Sequence, residues 1–311
     1  MQIQDIQELL KELREDNTSG ANEFIDKALE IIKLQLNLTE DSQKDIKKEL
    51  IYLARQIINA RPSMAPLINT VGYFINDLET INKKIIEERL ALFYVEREKR
   101  KELLELNFQT FLEENKKSPL KLMLISYSST VIDLLLKNKD LNFEIYVLES
   151  RPLFEGQRVA ETLSTYYKTH LIIDAAIGAF IDEIDLVLIG VDSILKDGSI
   201  INKIGTFPLA VLAKTKNINV YAVCDSYKYN LKSHFGYSVL IAEKPIKEVY
   251  NKEISYKFLE VHNYYFDITP AKYISGIISD LGVLSTKEFI EIVKRSFPIE
   301  WFKYFINNIR I

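Results

Sequence analysis

The chain is poor in the residues that build covalent or metal-bound frameworks. Its 311 residues include one cysteine, Cys224, and three histidines, His170, His234 and His262. A single thiol excludes an intrachain disulfide and fits a reducing cytosol. No Cys/His spacing resembles a zinc site, so no metal is expected, and no motif calls for a cofactor. There is no excess of positive charge: 40 Lys and Arg stand against 44 Asp and Glu, a formal charge of −4. A general nucleic-acid binder needs a basic stripe to neutralise phosphates, so direct nucleic-acid binding is not expected, while a local basic pocket for a small anion stays open. No apolar run approaches the length of a membrane span. The first residues, MQIQDIQELLKELRED, are amphipathic and charged and lack the apolar core of a signal peptide. A cytoplasmic chain without membrane contact is the expectation.

What is present is ordinary globular material, 47% hydrophobic and 27% charged. The length exceeds what one core usually spans, which suggests two domains. Residues 1 to about 116 carry apolar residues at helical spacing, as in Ile3, Ile6, Leu9, Leu10 and Leu13. Breaks are expected at Asp16–Gly20, at Thr39–Ser42 and at Arg61-Pro62-Ser63. One helix is expected over about Met64–Thr80 and a long charged one over about Asn82–Glu114. The polar run Glu114–Pro119 places the boundary, giving a helical domain over 1–118 and an α/β domain over 119–311. After it, strands are expected at Lys121–Tyr127, Phe143–Leu148, Lys168–Ile173, Leu186–Val191 and Val220–Val223. Helices are expected between them, over about Thr130–Lys137, Glu155–Tyr166, Ala175–Phe180 and Ile204–Lys214. Near-continuous apolar strands alternating with helices predict a Rossmann-like, doubly wound parallel sheet.

Open parallel sheets bind ligands beyond the carboxyl ends of their strands. Those positions are polar here. Ser128, Ser129 and Thr130 offer hydroxyls at a helix start, Arg151 a planar fork suited to phosphate, Lys203 a second cation and Asp192 a carboxylate. Each also has a plainer role open to it. The hydroxyls fit N-caps, Arg151 fits a pair with Glu149 or Glu155, Asp192 fits a turn cap, and Lys203 fits a solvated cation. Convergence on one rim of one sheet favours a site for a phosphorylated small molecule.

The same segments carry a resemblance. Leu148-Glu149-Ser150-Arg151-Pro152-Leu153-Phe154-Glu155-Gly156 resembles the E-[ST]-R-P-x-x-x-G element of the alpha/beta/delta subunit family of translation initiation factor 2B. The run from Gly190-Val191-Asp192 through Asp197-Gly198 to Asn202-Lys203-Ile204-Gly205-Thr206 resembles its G-[AV]-D-x-[IV]-x-x-[DN]-G-x-x-x-N-K-x-G-[TS] element. Asn263–Pro270, Asp16–Ala21 and Ala60–Ser63 resemble further elements, with Tyr264 standing where the family has proline. The family also holds ribose-1,5-bisphosphate and methylthioribose-1-phosphate isomerases. The resemblance implies a helical domain before a Rossmann-like one, dimerisation through the latter and a sugar- or nucleotide-phosphate pocket between them. It further implies that Arg61 and Arg151 contact phosphate, and that Asn202 and Lys203 hold the ligand's phosphate or hydroxyls. The isomerase branch pairs the aspartate, here Asp192, with a cysteine at the first strand end. This chain reads Ile125-Ser126-Tyr127-Ser128-Ser129 there, and a serine hydroxyl is a far weaker acid than a thiol. The expectation is therefore a homodimeric regulatory subunit that binds a phosphorylated metabolite and meets a translation initiation factor 2 subunit. An aldose–ketose isomerase using Asp192 is the alternative.

Overall fold

A computed structural model describes residues 2–16, 20–38, 43–62, 64–77 and 80–303, with the side chains of residues 2, 3 and 43–45 excepted. Asn17–Ser19, Thr39–Ser42 and Ser63, at the expected breaks, lie outside the described residues. The helical region runs α1 (Gln2–Glu15), α2 (Ala21–Leu38), α3 (Gln43–Ala60), α4 (Ala65–Ile75) and α5 (Lys83–Glu114). α4 ends before the expected Thr80, because Asn76 leaves the helical conformation and Asp77 turns left-handed at φ 55°. The chain continues β1 (Leu120–Ile125), α6 (Ser129–Lys137), β2 (Phe143–Leu148), α7 (Glu155–Leu163), β3 (Lys168–Ile172), α8 (Ile177–Phe180), β4 (Leu186–Ile189), β5 (Ser193–Ile194), β6 (Ile200–Lys203) and α9 (Thr206–Thr215). It closes with β7 (Asn219–Val223), α10 (Leu231–His234), β8 (Phe266–Thr269), β9 (Gly276–Ser279), β10 (Gly282–Leu284) and α11 (Thr286–Ser296).

Seven strands form the main sheet in the order β10-β9-β7-β4-β1-β2-β3. All neighbours are parallel except β9 and β10. Side chains of a strand alternate between faces, and β1 shows it. Met123 and Ile125 join one core with α1–α4, α9 and α11, whereas Leu122 and Leu124 join a second with α6 and α7. α5, about 48 Å long at 1.5 Å per residue, serves both cores. Ile86, Leu90 and Phe93 enter the first, and Leu104, Phe108, Phe111 and Leu112 the second. The sheet is therefore covered on both faces, as its apolar strands require. β1 lies between β2 and β4, so the chain winds one way from β1 to β3 and then returns to the other side of β1. That reversal is the switch point, where the strand ends part and leave a crevice. A second, antiparallel sheet, β5-β6-β8, covers part of this end.

Candidate functional site

A cleft of about 500 Å³ opens at the switch point. Its floor is the turn after β1, Ser126–Thr130, and the turn after β4, Gly190–Asp192. The close approach of the two turns needs a glycine: a Cβ on Gly190 would sit 2.7 Å from the Cβ of Ser128. β6 supplies Asn202 and Lys203, the start of α7 supplies Glu155 and Arg158, and the helical region supplies Asp16, Phe24 and Arg61.

Of the residues singled out from sequence, Arg61, Ser128, Ser129, Thr130, Asp192, Asn202 and Lys203 come together in this cleft. Several also fill the plainer roles. Ser128 caps α6, its Oγ accepting from the Val131 N–H at 3.3 Å. Ser129 Oγ accepts from Asn22 Nδ2 at 3.4 Å, which ties α6 to α2. Asn202 Nδ2 donates to Thr206 Oγ1 at 3.1 Å. Lys203 is buried rather than solvated, and its Nζ lies 2.6 Å from Glu155 Oε1. Arg151 does not line the cleft. Its side chain is exposed, packs 4.7 Å over the Phe154 ring and reaches the Glu248 carbonyl at 3.5 Å. Arg158, one turn into α7, faces the cleft instead, 4.3 Å over the Tyr127 ring.

The backbone around Glu155 is held in an uncommon conformation. Ser126, Ser150 and Phe154 all have positive φ, at 67°, 64° and 59°, which costs free energy for residues with a Cβ. Hydrogen bonds lock it. Ser126 N–H donates to Ser150 Oγ at 2.8 Å, and Ser126 Oγ donates to Glu155 Oε1 at 2.9 Å. Glu155 Oε1 thus takes both Ser126 and Lys203, while its buried Oε2 has no partner among the described residues. Arg61 is the counterpart of opposite sign. Its Nε donates to the Leu13 carbonyl at 2.8 Å, and its buried Nη2 has no partner among the described residues. Burial pushes the Asp192 carboxyl above the usual range, against the pull of Lys228 and Lys203 and with a small push from Glu155. Burial likewise pushes the Cys224 thiol up, and Cys224 sits at the end of β7 as a buried apolar residue rather than in the cleft. Tyr265, Lys228 and Lys244 complete the wall.

A model of the initiation factor 2 subunit family matches residues 2–286. The chain belongs to that family. It is 28% identical over 297 residues to a ribose 1,5-bisphosphate isomerase of Methanocaldococcus jannaschii, covering 94% of this chain and 95% of that one. It is 29% identical over 284 residues to a putative translation initiation factor eIF-2B subunit 2-like protein of Pyrococcus furiosus, covering 89% and 95%. A crystal structure of the Pyrococcus horikoshii translation initiation factor eIF-2B has the same fold, with a TM-score of 0.77 at 26% identity over 92% of this chain and 98% of that one. The helical region followed by a mostly parallel α/β sheet is therefore the family architecture, as the sequence predicts. Relatives named as isomerases and as factors match this chain equally well, so the isomerase alternative has support at least equal to that of the regulatory role.

Proposed function

We propose that the cleft binds a phosphorylated sugar and interconverts its aldose and ketose forms, with ribose 1,5-bisphosphate the first substrate to test. The observation that carries this reading is the Asp192 carboxyl, raised by burial and set near Lys203 and Lys228 in a cleft that also holds the unpartnered Arg61 Nη2. A carboxyl with a raised pKa is a better proton acceptor than an ordinary one. Asp192 takes the C2 proton as the bond from C1 to the ring oxygen breaks, and the ring oxygen gains a proton. The resulting enol receives the first proton back at C1 and releases its O2 proton as the ketone forms, so hydrogens balance without a co-reactant. Lys203 and Lys228 offset the negative charge that develops on the sugar oxygens. The test is ketose formation by the purified protein and by Asp192→Asn. The variant is expected to turn over roughly a hundredfold more slowly or worse.

One feature of the cleft favours a second reading. Ser126 and Tyr127 stand at the strand end where the isomerase branch carries cysteine, and neither hydroxyl matches a thiol as an acid. On this reading the chain is a homodimeric regulatory subunit that holds the sugar phosphate without converting it and meets a translation initiation factor 2 subunit. Saturable binding of ribose 1,5-bisphosphate with no turnover, together with capture of that subunit, would replace the first reading with the second.

A further inference from the structure

Arg61 and Lys244 line the same cleft, near enough for the charge of Arg61 to act on Lys244. Arg61 is anchored at its Nε and packs 4.8 Å over the Phe24 ring, which leaves Nη2 buried and unpartnered among the described residues. Lys244 is half-buried, makes no ion pair among the described residues and holds its Nζ 5.0 Å from the centre of the Tyr265 ring. Asp16 and Glu248 attract Arg61 and Lys244 respectively, but both carboxylates are also hydrogen-bonded to other groups. Asp16 accepts from Lys27 Nζ at 3.2 Å. Glu248 accepts from Asn263 Nδ2 at 2.7 Å and from the Tyr265 hydroxyl at 2.5 Å. Burial first, and then the charge of Arg61, push the Lys244 ammonium below its usual range, with only Glu248 opposing.

Given the cleft's reading as a site for phosphorylated ligands, we propose that Arg61 and Lys244 are the two arms of one phosphate site, which makes the segment from Glu243 to Tyr265 part of the binding machinery. Two half-buried cations that repel each other, one of them with a buried N–H lacking an acceptor among the described residues, are costly, and a phosphate dianion supplies both charge and acceptors. Lys244 belongs to an irregular strap whose two ends are tied together at its base. Glu243 bridges Tyr264, the Lys244 N–H donates to the Asn263 carbonyl at 2.8 Å, and Glu248 ties Asn263 to Tyr265. Beyond that base the strap exposes Tyr256 and Phe258. A phosphate gripped by Arg61 from the helical region and by Lys244 from the strap joins the two, so the strap is seated by the ligand.

The test is calorimetric titration of the full chain with ribose 5-phosphate and with inorganic phosphate, in the wild type and in Lys244→Met, which keeps length and removes charge. Hydrogen exchange of residues 243–265 is followed in parallel. Loss of one charged hydrogen bond predicts affinity weaker by roughly ten- to a hundredfold for both probes. It also predicts that phosphate slows exchange of the strap in the wild type but not in the variant. Equal affinities in the two proteins would overturn the proposal while leaving the cleft's function untouched. Absence of ribose 1,5-bisphosphate turnover, with phosphate binding still dependent on Lys244, would overturn the isomerase reading and leave this one standing. No binding of either probe to the wild type would overturn both.

Discussion

Asp267 reaches from β8 to the start of α9, where its Oδ2 accepts the N–H groups of Gly205 at 2.8 Å and Phe207 at 3.1 Å. It caps a helix from a strand about sixty residues away in sequence. Its Oδ1 is buried without a partner among the described residues, and burial lifts the carboxyl from 3.8 to about 6 against those hydrogen bonds. Asp280 behaves alike, lifted from 3.8 to about 6 by burial and then by Asp225, although Ser226 donates to both its oxygens. The folded chain thus binds these protons more tightly than the unfolded chain. Stability contributed by the protonated groups is full below pH 4 and falls as pH rises toward 6, by on the order of 2 kcal/mol for each. Asp267→Asn keeps an acceptor for the cap and removes the titration. Urea unfolding at several pH values between 4 and 7 is expected to show a shallower decline in the variant, and an unchanged slope would show that Asp267 is not the source. At this scale the sequence was a partial guide. Seven of the eight residues it singled out line the cleft, but Arg151 is captured by Phe154 and Glu248. Lys244 sits in a segment without periodicity and carried no local signal, and Arg158 lies in an ordinary charged helical stretch.

The join of β2 to α7 shows how closely elements approach near the cleft. A Cβ on Gly156 would lie 1.8 Å from the Leu148 carbonyl oxygen, and no side-chain motion relieves a clash with backbone. Gly156→Ala is expected to cost about 3 kcal/mol or more and to lower the melting temperature clearly. Gly72→Ala would bring a Cβ to 1.9 Å from the Trp301 ring, whose side chain can shift, so a smaller loss is expected there. Equal melting temperatures for wild type and Gly156→Ala would contradict this packing. β1, β2 and β4 were readable because burial on both faces demands near-continuous apolar runs, and Phe143–Leu148 matches its expected bounds, whereas β9, which also pairs in parallel, was not expected. The β5-β6-β8 sheet was not readable. Its strands are short, its β6–β8 pairing joins residues far apart in sequence, and β6 ends on Asn202 and Lys203, polar residues buried because Thr206 and Glu155 satisfy them.

Across the whole molecule, the first hydrophobic core runs without interruption from Ile6 and Leu10 in α1 through Met123 and Ile125 in β1 to Phe289 in α11. The Asn69 amide adds a polar tie, donating to the carbonyls of Tyr227 at 2.6 Å and Tyr229 at 2.8 Å. α5 spans both regions, so residues on the two sides of the 118/119 boundary share their buried surface. We expect one cooperative unfolding transition, with the calorimetric enthalpy equal to the van't Hoff value. Two resolved transitions would mean that the halves hold themselves up independently. Trp301, the chain's single tryptophan, lies 6% exposed with its ring against Gly72 of α4. Its indole fluorescence therefore reports on one place only, the seat of residues 299–303 on α4. A shift of emission to longer wavelength would mark their release, without any label and without signal from the rest of the protein.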